Sequence, residues 1–171
     1  MAVLVMACAL LLLYFEDPGP LDGDWPKSIS DGLREHPGFG LVLALGEIVS
    51  LARVHSIVRA RGLAGLSIIL VLATALGDVG ILVFPDNVGG STHNTFAIVA
   101  ILSPLFHNAV LILSGEAPSV VSVALLGVGV LAAFGVGSCN GLGLPCSGTS
   151  ELVMFGALAA EWARLPALKL N

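Results

Sequence analysis

Charge is the scarcest feature of this chain. Only 11% of its 171 residues are charged, while 56% are hydrophobic; soluble domains carry about 25% charged residues. An ordinary soluble globular domain is therefore excluded. Lys and Arg number only seven and form no basic cluster, which argues against a nucleic-acid partner. The three cysteines show no C-x-x-C or Cys/His ligand spacing, so the sequence carries no zinc signature. No Lys or Arg precedes the first apolar run, Ala2–Phe15, and no A-x-A-like site follows it, so it lacks the marks of a cleaved signal. On length alone a residual signal or a re-entrant segment is the competing reading. The net charge of -5 says little, because the charges sit in a few loops.

What is abundant is apolar sequence in runs near the length that crosses about 30 Å of hydrocarbon. Six segments stand out, at about 2–15, 39–58, 63–84, 93–113, 119–137 and 150–165. Backbone in lipid must satisfy its own hydrogen bonds, so such runs become helices. The alternation of barrel strands is missing. The prediction is an all-α polytopic membrane bundle forming one integral membrane domain over 1–171. It has six transmembrane helices, or five if the first run does not span.

Loop charge sets the orientation. With six spans one side holds Arg59, Arg61, Arg164 and Lys169, and the other only Lys27 and Arg34. The second side also collects Glu16, Asp17, Asp22, Asp24, Asp31, Glu35 and Asp86. The basic side is read as cytoplasmic, with both termini inside a cell membrane. Cys139 and Cys146 then fall in an outer Gly-rich loop, as a disulfide or as two free thiols. The Cα separation, which must be under about 7 Å, decides between them. Cys8 reads as packing within the first segment.

Small residues four apart let helix backbones approach closely in lipid. Gly129, Ala133 and Gly137, Ala73 and Gly77, and Gly156 and Ala160 follow that spacing and read as contacts within the bundle. Trp25 and Trp162 suit the two membrane interfaces.

An ionisable residue within a span is costly and marks a functional site by default. Glu47 and Asp78 lie about 12 and 9 Å from the outer ends of their segments at 1.5 Å per residue. Two carboxylates sharing a low-dielectric site would hold a proton between them or share a cation; the bland alternative gives each its own hydrogen bonds. His93 and His107 are fourteen apart, close to four helical turns, and so share a face. Asn94 and Asn108 repeat that spacing. Pro104 between them removes a backbone donor and favours a kink. His107 and Asn108 reach the inner half, where Arg53 and His55 also fall. Two polar layers result. Glu161 and Arg164, three apart, read as a weak surface pair, and Arg59 and Arg61 as topology signals that could also meet lipid headgroups.

KSISDG, VFPDNVGGSTHNTFAIVAI and GTSELVMFGALAAEW together resemble the prokaryotic multi-pass membrane proteins grouped as domain of unknown function 998. In that family a Ser-Ile-Ser-(Asp/Glu)-Leu-Gly motif precedes the second helix. A Phe-Pro-x-(Asn/Asp) turn ends the third, and a His opens the fourth. The resemblance spans about residues 25 to 165. It assigns the first motif to Ser28, Ile29, Ser30 and Asp31, the turn to Phe84, Pro85, Asp86 and Asn87, the His to His93, and an acid of the last helix to Glu151. Gly32 stands where the family has Leu and then Gly, and Arg53 and His55 match no family feature.

These motifs converge on the outer end of the expected bundle, above Glu47 and Asp78. The candidate site is thus an outer polar cup of Glu47, Asp78, Asp31, Asp86, Asn87, His93 and Asn94. An inner polar layer holds Arg53, His55, His107 and Asn108. The first functional reading is a non-enzymatic module that binds a lipid or other hydrophobic ligand, or an accessory subunit of a larger membrane complex. The competing reading is an enzyme acting on a lipid or isoprenoid through Glu47 and Asp78. A metal-dependent hydrolase built on Ser50, His55, Asp78, His93 and His107 is disfavoured, because His93 and His107 are four turns apart and cannot share one metal. Proton shuttling or haem ligation through the histidines ranks below these, since haem wants two facing His at equal depth. The sequence specifies no cofactor.

Overall fold

The computed structural model describes residues 37–59, 62–84, 90–115, 119–142 and 147–165. The first apolar segment, Trp25, Asp31, Asp86, Asn87 and Cys146 lie outside them, and so does the side chain of Cys139.

Five helices follow one another: α1 (Pro37–Val58), α2 (Ala64–Val83), α3 (Ser91–Leu113), α4 (Val120–Leu142) and α5 (Ser147–Arg164). The first three match the predicted segments to within two residues at each end. Glycines with positive φ, Gly62 at 76° and Gly115 at 79°, close the turns after α1 and α3, where other residues would be strained. Helix α4 continues past the predicted end at 137 to Leu142, since nothing before Pro145 forbids a helix. Cys139 is therefore on α4 and not in the loop assigned to it.

Four helices, Gly40–Val58, Ala64–Val83, Ser91–Leu113 and Val120–Ser138, are long and apolar enough to cross a membrane. The fifth carries Glu151, Glu161 and Arg164 within its 18 residues and falls short of that apolarity.

What faces out and what faces in supports the same solvent. On α2 the buried residues are Ser67, Thr74, Gly77 and Gly80, all polar or glycine. Its large apolar side chains, Leu66, Ile68, Ile69, Leu72, Leu76, Val79 and Val83, point outward. Leu131 and Phe134 of α4 are 73% and 72% exposed. In water such a surface would be an aggregation liability; against lipid tails it costs nothing. The apolar core proper, with Leu51, Val54, Val58, Leu105, Leu111, Met154, Leu158 and Trp162, sits where α1, α3, α4 and α5 meet.

Partners across helices fix the directions. Gly77 lies against Ala100 and Gly80 against Phe96, so α2 and α3 run antiparallel, and α2 packs most closely on α3. Ser67 meets both His55 and His107, and Ser122 meets Glu161 while Gly135 meets Ser150. In each pair one number rises as the other falls. Arg53, Arg59 and Arg164 thus lie toward one end of the bundle, while Asp78 lies toward the other, with Glu47 at the middle of α1. The two ends are called here the arginine end and the carboxylate end.

The α2–α3 seam is tight. A Cβ on Gly77 would sit 2.6 Å from the backbone nitrogen of Ala100, so the two backbones touch as small-residue packing in lipid allows. Leu105 fills the same role against Gly129. Gly137 and Gly156 have nothing within 4 Å of that position, and Ala160 is exposed. The expectation of bundle contacts fails there, because these residues lie on the outward faces of α4 and α5.

Candidate functional site

The inward stripe of α1 is Glu47, Ser50, Leu51, Val54 and Val58, spaced as one helical face. Glu47 is 3% exposed. On α2, Gly77 is pressed against α3, and Asp78 follows one residue, about 100°, further round. Asp78 is half-buried and close enough to Glu47 for the two carboxyl groups to act on each other electrostatically. Glu47 Oε1 and Asp78 Oδ2 are both buried with no hydrogen-bond partner among the described residues. A buried ionised carboxylate without a partner costs several kcal/mol even after relaxation, on the order of 2–7 for a neutral polar group alone. Two together must hold protons or a positive charge.

The rest of the predicted cup divides. His93 is 4% exposed, and its Nδ1–H donates to the carbonyl of Phe84 at 2.8 Å, pinning the end of α2 to the start of α3. A carbonyl only accepts, so this nitrogen carries the proton. The Phe84 and Phe96 rings stack beside it with centroids 5.7 Å apart. Asn94 is exposed, because none of the described residues packs over that face at the start of α3, and it stands apart from Glu47 and Asp78. Asp31, Asp86 and Asn87 lie outside the described residues.

Helix α3 runs through the fully buried Pro104 as one helix. Its buried stripe includes His93, Ala100, Ser103, His107, Asn108 and Leu111, so the two histidines do share a face. The Asn repeat does not hold, with Asn94 outward and Asn108 buried.

The four residues of the predicted inner layer gather at the arginine end but serve three separate arrangements. The Arg53 guanidinium donates to the carbonyl of Leu165 just past α5. His55 Nδ1 and His107 Nε2 both meet the hydroxyl of Ser67, at 3.0 and 2.5 Å. Asn108 Oδ1 accepts from Trp162 Nε1 at 3.0 Å. Trp162 is 1% exposed, so it is a buried anchor and not the interfacial residue its position implied.

Two features escaped the sequence reading. Ser67, 0% exposed, is the hub between the histidines. Its signal was the spacing of Ser67, Thr74 and Asp78, which put one polar face on α2. The second is a buried polar knot at the start of α4. Ser122 Oγ donates to Glu161 Oε1 at 2.7 Å, Arg164 Nη1 donates to Glu161 Oε2 at 3.1 Å, and Arg164 Nη2 donates to Ser119 Oγ at 3.0 Å. Glu161 is 2% exposed. The supposed surface pair is thus half inside the bundle, because Ser122, 39 residues earlier, supplies its partner.

Among the described residues no three His, Cys, Asp or Glu side chains come together as a metal-ligand group. Compared with known proteins, the chain matches no family model, no curated protein and no solved structure. The site's chemistry is therefore read from its own residues.

Proposed function

We propose that this chain is a small multi-pass protein of the cell membrane that binds a positively charged ligand, a cation or the amine of a lipid-like molecule, at Glu47 and Asp78. The proposal adds the first apolar segment and α5 to the four apolar helices, giving six spans with both termini on the cytoplasmic side. It keeps the motif likeness to the 998 family as an account of the turns above the site. The observation that carries the reading is the carboxyl pair itself, with one buried oxygen on each residue lacking a partner. In a bundle whose outer surface is apolar, that is the place where a ligand supplies what the protein does not. An accessory-subunit role uses the same site as a fixed point for a cationic side chain of another membrane protein.

The test is thermal unfolding of the purified protein in detergent with sodium, calcium or choline chloride, and native mass spectrometry of what co-purifies. A ligand at 100 times its dissociation constant stabilises by about 2.7 kcal/mol. A rise in Tm with at least one of these cations, absent in the Glu47→Gln and Asp78→Asn variants, supports the proposal. No response to any of them, with no amine-bearing molecule retained, refutes it.

A further inference from the structure

We propose that His55, Ser67 and His107 form a proton relay that joins the arginine-end face to the buried interior of the bundle, as one end of a proton path whose other end is the Glu47–Asp78 pair. The far end rests on the binding reading above; the relay does not.

The geometry is that of one hydroxyl between two imidazoles. Ser67 Oγ lies 3.0 Å from His55 Nδ1 and 2.5 Å from His107 Nε2. A hydroxyl has one proton to give and lone pairs to accept with, so it donates to one ring and accepts from the other. His107 first takes up a proton at Nδ1; with its Nε2–H donating to Ser67 and the Ser67 O–H donating to His55 Nδ1, a concerted shift then moves both protons one step. His107 loses its Nε2 proton, Ser67 keeps a hydroxyl, and His55 gains a proton on Nδ1. His55 then releases a proton from Nε2, leaving both rings neutral with the remaining proton on Nδ1. The hydroxyl turns back and both imidazoles turn over to bring their protons to the starting positions, which resets the unit. Nothing is oxidised or reduced.

The surroundings give the unit two different sides. His55 is half-buried within one turn of the end of α1. His107 is 0% exposed, and its Nδ1 is buried with no hydrogen-bond partner among the described residues. That nitrogen is the inward terminal. A closed structural contact would leave no such atom, and Asn108 on the next residue shows what a closed one looks like, its oxygen taken by Trp162.

A polar seam leads onward between α1, α2 and α3. Ser50, Thr74 and Ser103 are all buried there. Ser50 and Thr74 donate to the carbonyls of Gly46 and Leu70 on their own helices, which leaves their oxygens free to accept. From Ser67 to Asp78 the rise along α2 is about 16 Å at 1.5 Å per residue, so the path between these hydroxyls requires water to enter the seam. The charged groups on the described elements packed around the relay are Glu47, Arg53 (held to Leu165) and Arg59 on or just after α1, Asp78 on α2, and Glu151, Glu161 and Arg164 on α5.

The experiment is proton flux into liposomes of phosphatidylcholine and phosphatidylglycerol loaded with a pH-sensitive dye, with a potassium gradient and valinomycin to drive it. Wild type should carry protons well above protein-free liposomes. Ser67→Ala should lower the flux at least tenfold, while Ser67→Thr, which keeps a hydroxyl, should retain most of it. His55→Gln is the second variant: its amide preserves a hydrogen bond to Ser67 at a half-buried position but cannot pass a proton, so flux should fall with Tm unchanged. Wild type no better than empty liposomes overturns the relay, and so does Ser67→Ala or His55→Gln at the wild-type rate. Flux that depends on Ser67 without any cation response in the unfolding assay removes the binding reading and leaves the relay; a cation response without flux does the reverse.

Discussion

Glu47 and Glu161 are the same residue type, 3% and 2% exposed, one at the middle of α1 and the other in the last turn of α5, and their surroundings are opposite. Glu161 is closed: Ser122 and Arg164 occupy both of its oxygens. Among the described residues Glu47 keeps a buried oxygen without a partner, and Asp78, which acts on it electrostatically, repeats the condition. Depth in the membrane is therefore a poor guide to function by itself. A buried charge that is matched ties helices together; one that is unmatched calls for something from outside the chain. The arginine end holds mostly the first kind, with the unpartnered nitrogen of His107 as its exception.

The largest way to break this contrast is at the closed end. Trp162→Ala removes the largest fully buried side chain and should cost about 3–5 kcal/mol in detergent unfolding. Trp162→Phe keeps most of the volume and loses only the donor to Asn108, for about 1 kcal/mol. A Phe variant as damaged as the Ala variant would mean that the hydrogen bond, and not the packing, carries the anchor.

Next in size is the seam beside Asp78. Gly77→Ala places a Cβ 2.6 Å from the Ala100 nitrogen and should cost about 1–3 kcal/mol as the helices part. Gly156→Ala meets open space and should gain up to about 1 kcal/mol from helix propensity. Equal effects at the two glycines would show that the close approach of α2 and α3 contributes nothing.

The smallest effect expected is a shift with pH. Protons compete with a bound cation for the same carboxylate oxygens, so the cation-induced rise in Tm should shrink as pH falls. The same titration on the Glu47→Gln, Asp78→Asn double variant should be flat, and a slope surviving there would place the titrating group elsewhere.

Much of the fold was legible because it depends on runs of like residues. The ends of α1, α2 and α3 followed from where apolar sequence stops, and the two polar depths from counting residues along each helix. Glu47 and Asp78 were paired from depth alone, and they are neighbours. What could not be read was which polar residue meets which. Ser67 is one hydroxyl in an apolar run, and only the crossing of three helices makes it a hub. Glu161 and Arg164 looked like a surface pair because Ser119 and Ser122 are distant in sequence. Trp162 matched an interfacial pattern, but the partner that draws it inward, Asn108, is on another helix. Asn94 is the converse case: its spacing matched Asn108, but none of the described helices packs over it.

The Glu47–Asp78 pair is open and the Glu161 knot is closed, and one measurement addresses both. Unfolding stability in detergent, with and without the stabilising cation, is compared for wild type, the Glu47→Gln, Asp78→Asn double variant and Glu161→Gln. The prediction is a double variant at least as stable as the cation-free wild type, because an amide is buried there without having to hold a proton or a positive charge, and no response to cation. Glu161→Gln should lose about 1 kcal/mol, since half-exposed Arg164 loses its counter-charge, while keeping the full cation response. A double variant that is destabilised and still responds to cation, beside an unaffected Glu161→Gln, would contradict the account.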